Sequence, residues 1–197
     1  MMPIYQLDGI TPVIHPESFV HPSADIIGDV IISKNVYVGP QVAIRGDMGG
    51  IKIMDGSNIQ DNCVIHGFPN RETVLEENSH IGHGAVIHGC HIEKNCLIGM
   101  NAVVMDLAVI GKESIVGAHS FIKAHSRFEA RSMILGSPAT VKRKVKDEEL
   151  AWKERGTEMY HQLVSRCQNT MKEVIPLSYP EKNRPKMVFD KIHDIKS

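Results

Sequence analysis

The sequence predicts an all-β fold, a parallel β-helix, from three observations. Aliphatic residues recur at six-residue intervals from Val20 to Ile122, which is typical of a hexapeptide repeat. The residue four positions after such an aliphatic anchor is often small or β-branched, as a tight interior corner requires. Glycine often follows the anchor directly, where we expect its freedom at positive φ to ease the bend between two faces.

The repeat places the elements of the coil in order, each hexad forming one flat face and three hexads one triangular turn. An alternating β-sandwich would not keep a six-residue register over so many positions. The anchors are Val20, Ile26, Ile32, Val38, Ile44, Ile53, Ile59, Ile65, Ile81, Ile87, Ile92, Ile98, Val104, Ile110, Val116 and Ile122. The glycines that follow an anchor are Gly39, Gly82, Gly99, Gly111 and Gly117.

One core domain with an appended helical extension is expected. The repeat runs over about 18–123, and we assign residues 1–140 to the β-helix domain. The segment 67–79 interrupts the repeat, so we expect it to leave the coil as a loop. Residues 141–197 are assigned to a helical extension and tail, because the six-residue rhythm stops before them.

Helical signals follow the coil. The basic run 141–146 is expected to be a solvated connector. Asp147 is expected to cap a first helix that ends at Gly156, and Thr157 a second helix that Pro176 stops. The second helix carries an apolar stripe at a period of 3.6 residues, which we expect to pack on an outer face of the coil in its own or a neighbouring subunit. The stripe consists of Tyr160, Leu163, Val164, Cys167, Met171 and Val174.

Composition excludes several classes of function. The chain has 197 residues, a formal net charge of −1 and a pI near 6.8, and its basic residues are scattered, so we expect no nucleic-acid partner. The amino terminus lacks the pattern of a secretion signal, and no segment is apolar enough to span a bilayer. The cysteines show no CxxC spacing. We therefore expect reduced thiols in a cytoplasmic protein.

Three histidines predict a metal site. His66 and His88 each follow an anchor directly, so their side chains point outward from equivalent places on neighbouring turns. His83 lies two residues after its anchor and is expected to point elsewhere. Ligands in divergent directions on one rod cannot surround a zinc ion at about 2.0–2.1 Å. A second subunit that supplies His83 solves this geometry, and three-fold symmetry closes a homotrimer with three shared sites.

Three motifs carry a family resemblance. RGDMGGIKI, NIQDNCVIHG and IGHGAVIHG resemble the γ-class carbonic anhydrase family over residues 10–140. A narrower resemblance is to its PaaY and CaiE subfamily, from phenylacetate-degradation and carnitine operons, and to the PaaY branch especially. It is carried by MPIYQLDGITPV, GSPA and ELAWKERGTEMYHQLVSRC. The resemblance implies a left-handed β-helix, a trimer, and Zn²⁺ between subunits, with Fe²⁺ or Co²⁺ as alternatives.

The resemblance also implies roles for individual residues. Arg45 and Asp47 would form an ion pair that holds the trimer interface; the alternative is an ordinary surface pair. Gln60 would orient the bound water or substrate, and Asp61 would pair with Arg45 or fix a neighbouring group. Asn101 would be a further catalytic group near the metal, or else one rung of an asparagine ladder at a coil corner.

The expected function is that of a metal-dependent thioesterase. The resemblance implies hydrolysis of aryl or alicyclic acyl-CoA intermediates of phenylacetate degradation by attack of metal-bound hydroxide on the thioester carbonyl, with Tyr160 shaping the substrate cleft. Two alternatives stay open: a γ-class carbonic anhydrase, and a non-catalytic accessory protein of carnitine metabolism. Carbonic anhydrase activity is less favoured, because Met48-Gly49-Gly50 stands where such enzymes carry a glutamate-bearing stretch. Acyl transfer is disfavoured by the clustered histidines, since those transferases use a histidine base without metal.

Overall fold

The computed structural model describes residues 3–188. It is a parallel β-solenoid of about seven turns followed by one helix. The predicted left-handed parallel β-helix of hexapeptide repeats is therefore confirmed as the fold class. The end of the expected carboxy-terminal extension, 189–197, lies outside the described residues.

Three stacks of short parallel strands form the faces of the coil. The first contains β1 (Ile4–Tyr5), β4 (Asp25–Ile32), β6 (Ala43–Ile53), β8 (Val64–His66), β11 (Val86–His88), β14 (Val103–Val104) and β17 (Phe121–Ile122). The second contains β2 (Val13–Ile14), the ends of β4 and β6, β9 (Thr73–Leu75), β12 (His91–Ile92), β15 (Val109–Ile110) and β18 (Arg127–Phe128). The third contains β3 (Phe19–Val20), β5 (Tyr37–Val38), β7 (Asn58–Ile59), β10 (His80–Ile81), β13 (Leu97–Ile98), β16 (Ile115–Val116) and β19 (Ser132–Gly136).

The aliphatic anchors form the core as predicted. Ile44, Ile65 and Ile87 are register partners on three successive turns and are completely buried. Each buried side chain of this size contributes about 1.5–3 kcal/mol through the hydrophobic effect. The inward column fixes the register, so the neighbouring side chains must point outward.

The loop was expected to span 67–79, but the observed loop is shorter. Only 67–72 leave the coil, because Thr73–Leu75 form strand β9 between β6 and β12. Leu75 is completely buried and stands six residues before Ile81. It is therefore an anchor of the repeat that the sequence interpretation missed.

The expected reason for the glycines after the anchors was wrong. Gly82 and Gly99 do not have positive φ. They are needed because successive turns approach closely: a Cβ on Gly99 would lie 2.4 Å from the backbone nitrogen of Ala118. Other residues, many of them asparagines, occupy the left-handed conformation, which asparagine tolerates well. They include Asn35, Asn62, Asn78, Asn95, Asn101, Leu107, Glu113, His119, His125 and Arg131.

The basic run 141–146 was expected to be a connector, but most of it is a strand. Strand β20 (Ala139–Lys144) pairs antiparallel with β19. All but the first of its residues are exposed. Backbone hydrogen bonding to the last turn of the coil therefore orders this charged segment.

One helix replaces the two that were expected. Helix α1 (Asp147–Thr170) is preceded by Lys146 as its N-cap and continues through Gly156. Thr157 is a buried residue inside the helix and not a cap; its hydroxyl donates to Lys153 O at 3.2 Å. Burial of one face outweighs the cost of about 1 kcal/mol for a glycine in the helix interior.

The apolar stripe of α1 packs on the coil of its own chain. Val164, with Tyr160, Leu163 and Cys167, contacts Phe19 and Tyr37 of the third face. The predicted stripe was too long, because α1 ends at Thr170 and the last two predicted members, Met171 and Val174, are exposed. Lys153 adds a polar attachment: its buried ammonium donates to Asn78 O and Asn95 Oδ1 at 2.5 and 2.6 Å.

Candidate functional site

Two of the predicted metal ligands lie together on the first face. Arg45, His66 and His88 are register partners on β6, β8 and β11. The imidazole rings of His66 and His88 have centroids 4.9 Å apart. His66 Nδ1 lies 3.0 Å from His88 Nε2, so the two rings meet through one nitrogen each, within hydrogen-bonding distance.

The other nitrogen of each ring is bound by a carboxylate. His66 Nε2 lies 2.7 Å from Asp47 Oδ1, and His88 Nδ1 hydrogen-bonds Asp106 Oδ1. An ionised carboxylate only accepts hydrogen bonds, so the nitrogen that it faces carries a proton, and in a neutral ring the lone pair lies on the other nitrogen. Metal-binding histidines in proteins are held in this way. The hydrogen bond between the two facing nitrogens requires a proton on one of them, which a bound metal would replace.

His83 shows the same arrangement at a separate place. Its Nδ1 lies 2.7 Å from Asp61 Oδ2, so its lone pair is on Nε2. Its side chain is 46% exposed, which leaves that nitrogen accessible. Asn101 donates its backbone N–H to His83 O at 2.9 Å, with φ of 55° at a coil corner.

These residues fit a divalent metal, but one chain does not complete the site. Within residues 3–188, no three His, Cys, Asp or Glu side chains converge on a point that could hold an ion. The structure brings His66 and His88 together and leaves His83 apart. A third histidine nitrogen must therefore come from outside this chain if the site is tetrahedral with an open position.

Arg45 and Asp47 pair with one another inside the chain. Arg45 Nη1 lies 2.7 Å from Asp47 Oδ2, and the other oxygen of Asp47 binds His66. Partial burial raises the pKa of Asp47, but the hydrogen bond from His66 and the charge of Arg45 outweigh it and lower the pKa below its ordinary value. The pair thus supports a ligand; its expected contact with a neighbouring subunit stays a prediction.

Gln60 and Tyr160 lie in a buried cluster beneath α1. Gln60 is 4% exposed, and its amide nitrogen lies 3.0 Å from Asn58 Oδ1 and 2.7 Å from His80 Nε2. The Tyr160 ring stacks edge-on against His80 and also touches Tyr37. Burial, then the charges of Lys153 and His83, lower the pKa of His80 to about 3. The expected catalytic role of Gln60 and substrate role of Tyr160 stay predictions.

Asp106 is the residue that sequence reasoning missed. A signal was present: Asp106 lies two residues after the anchor Val104, as Asp61 lies two after Ile59. Both positions point a carboxylate toward a histidine, Asp61 toward His83 and Asp106 toward His88.

Comparison with known proteins places the chain among hexapeptide-repeat proteins. The family model described as bacterial transferase hexapeptide (six repeats) matches residues 72–105 and 89–124. The chain is 50% identical over 186 residues to the carnitine operon protein CaiE of Citrobacter koseri and to that of Salmonella typhimurium. Each match covers 94% of this chain and 94% of the relative.

Solved structures agree with this placement. A putative acetyltransferase from Bacillus cereus is 31% identical with a TM-score of 0.82, covering 83% of this chain and 95% of the other. A hexapeptide transferase family protein from Anaplasma phagocytophilum is also 31% identical, with a TM-score of 0.80 and coverage of 83% and 97%. No helix in the described part of the chain is long and apolar enough to cross a membrane.

Proposed function

Since the chain belongs to the hexapeptide-repeat family of the carnitine operon protein CaiE, we propose that it is an accessory protein of carnitine metabolism built around a shared metal site. Identity of 50% over 94% of both chains supports the pathway. The name of these relatives favours this role over the phenylacetate role expected from the sequence.

The carboxylate-bound histidines carry the proposal of a metal. His66 and His88 of one subunit and His83 of the next would hold Zn²⁺, or alternatively Fe²⁺ or Co²⁺. The bound ion supplies a Lewis acid and lowers the pKa of its water to about 7. Asp47 and Asp61 fix the tautomers of His66 and His83, so the chain prepares lone pairs before any ion arrives.

A column of outward-facing apolar side chains beside the candidate ligands supports the proposed trimer. Val64, Val86, Val103 and Phe121 are register partners on four successive strands of the first face. Each directly precedes an anchor, so its side chain points outward, and Val64 is 39% exposed. A contact between subunits along this column would bury these side chains and bring a neighbouring subunit next to His66 and His88.

Subunit mixing tests the shared site. His66→Ala and His83→Ala proteins should each lose bound zinc, measured by elemental analysis of the trimer. After subunit exchange, mixed trimers should recover part of the metal, because one interface in them contains all three histidines. His91→Ala is the control for a histidine outside the site. Full zinc content in either single variant, or no recovery after verified exchange, contradicts the proposal.

Hydrolysis of acyl-CoA thioesters is a second candidate. The observation that favours it is the carboxylate-bound pair of His66 and His88. With His83 of a neighbouring subunit, this pair would leave a fourth position on the ion for water or substrate. Hydration of CO2 is less favoured, because a Cβ on Gly49 would lie 2.2 Å from Phe68 O and no proton-carrying side chain fits there.

An activity panel separates these functions. Zinc-loaded trimer is assayed with carnitine-derived, aryl and alicyclic CoA thioesters and with CO2. A thioesterase releases CoA from at least one thioester, and His88→Ala abolishes the release. An accessory protein leaves all thioesters intact and hydrates CO2 no faster than the His88→Ala control. Rapid CO2 hydration with intact thioesters supports the carbonic anhydrase alternative and contradicts both other functions.

A further inference from the structure

The loop 67–72 lies directly against the candidate ligands. It leaves the coil immediately after His66, and Thr73, where the chain re-enters the coil, donates its hydroxyl to His66 O at 3.0 Å. A tight turn closes the loop, since Arg71 N donates to Phe68 O at 3.0 Å. The loop is thus attached to the ligand strand at both ends.

Glycines allow the backbone of this loop to pack closely against the coil. A Cβ on Gly49 would lie 2.2 Å from Phe68 O, and a Cβ on Gly67 would lie 2.1 Å from Gly49 O. Gly67 and Gly89 directly follow the two ligands, His66 and His88. Any side chain at these places would displace the backbone, so the glycines allow the loop to approach the ligand strands more closely than other residues would.

Phe68 lies next to the carboxylate that holds His88. A Cβ on Gly89 would lie 2.5 Å from Phe68 Cβ, 3.2 Å from Phe68 Cγ and 2.8 Å from Asp106 Oδ1. The aromatic side chain and the carboxylate therefore share the space above one glycine. Phe68 is half-buried, and the Asp106 side chain is 20% exposed.

We infer that Phe68 is a positioning residue for the metal site and acts on His88 through Asp106. The inference rests on the proposed function, because it assigns Phe68 a role toward the ion. An apolar ring beside the carboxylate–imidazole pair excludes water that would compete for Asp106, and a hydrogen bond in a less polar environment is stronger. His88 is then held with Nε2 directed at His66. A ring that merely fills space would stabilise the loop without affecting coordination.

The test compares Phe68→Leu, Phe68→Ala and Arg71→Ala, a matched control in the same loop with an exposed side chain. Zinc affinity is measured by competition with a chromophoric chelator, at concentrations where light scattering shows the same oligomer for each protein. Loss of a group that orients a ligand typically weakens binding about 10–100-fold. We expect Phe68→Ala to fall in this range, Phe68→Leu to lie between it and the parent, and Arg71→Ala to match the parent.

The visible spectrum of the cobalt-loaded protein gives a second readout that loop stability alone would not change. Phe68→Ala should alter the band intensity, because a displaced His88 changes the coordination of the ion. Unchanged affinity and spectrum in Phe68→Ala and Phe68→Leu overturn the inference, even if both variants melt earlier. If Phe68→Ala fails to fold, Phe68→Leu decides alone. A parent trimer that binds no metal refutes the proposed function itself, which is a distinguishable result.

Discussion

Each candidate ligand has its own carboxylate, and the carboxylate selects the nitrogen that is left for a metal. Asp47 occupies Nε2 of His66, whereas Asp61 and Asp106 occupy Nδ1 of His83 and His88. The rings therefore differ in which lone pair they offer. The acidic residues, as much as the histidines, define the candidate site.

We predict that Asp106→Asn weakens zinc binding about 10-fold or more. The amide can still accept a hydrogen bond from His88 Nδ1, but a neutral acceptor holds the ring less firmly than a carboxylate does. Chelator competition measures the change. Asp25→Asn, at an exposed aspartate, is the control, and equal affinities of the two variants would contradict the assigned role of Asp106.

His80 should make the protein less stable in acid. Its pKa is about 3 in the fold, against 6.5 for an ordinary histidine. Between these values the unfolded chain binds more protons, so the free energy of unfolding falls as the pH decreases from 6.5 toward 3, by at most about 1.4 kcal/mol per pH unit from this group. Urea unfolding at a series of pH values should show a flatter dependence for His80→Gln.

The matched control is His125→Asn, because His125 is exposed with a positive φ and asparagine tolerates that conformation. This variant should keep the pH dependence of the parent. A slope for His80→Gln that equals the parent slope would show that His80 is not the group responsible.

In helix α1, packing against the coil outweighs the tendency of a glycine to end a helix. Gly156 predicts a helix end, yet the helix continues through it because Lys153, Thr157 and Val164 are buried against the coil. A glycine in a helix interior lowers helix stability by only about 1 kcal/mol relative to alanine. The buried face of a helix contributes several times that amount.

Gly156→Ala should therefore stabilise the protein by about 0.5–1 kcal/mol. A Cβ there would meet His80 Cε1 at 3.7 Å, an ordinary contact. Gly99→Ala is the opposite case, since its Cβ would lie 2.4 Å from Ala118 N, and it should destabilise by several times as much. Chemical denaturation of both variants measures the difference. A loss of stability in Gly156→Ala would mean that the helix packs differently around this residue.

At the scale of the whole molecule, the proposed site requires a contact that one chain does not contain. We predict that Val64→Lys dissociates the trimer and releases the metal together, because a buried charge would replace an apolar contact beside His66. Light scattering and elemental analysis measure both effects. Val13→Lys, on the second face with Val13 57% exposed, is the control. A Val64→Lys protein that remains trimeric would exclude this column from the interface.

The fold of the coil could be predicted because its aliphatic anchors repeat every six residues. Only part of the candidate site could be predicted in this way. Ile44, Ile65 and Ile87 reveal their burial by spacing alone, and Leu75 would have done so too. His66 and His88 could be paired from equivalent positions in two hexads. Asp106 contacts His88 and lies near Phe68 across different turns, and no single hexad encodes such contacts. The proposed third ligand would come from a neighbouring subunit, and the sequence of one chain does not encode how the subunits would meet.

The antiparallel strand β20 has a further consequence. A parallel coil has no natural end, because every turn offers the same edge of backbone donors and acceptors to the next, about 4.8 Å away. Such an edge would recruit another molecule and grow into a fibre. Here β20 covers the last edge of the third face and presents Lys142, Arg143 and Lys144 to solvent. On this face the coil therefore ends in a charged antiparallel strand, and one added turn of three hexads between residues 123 and 132 would lengthen the coil without disturbing the histidines.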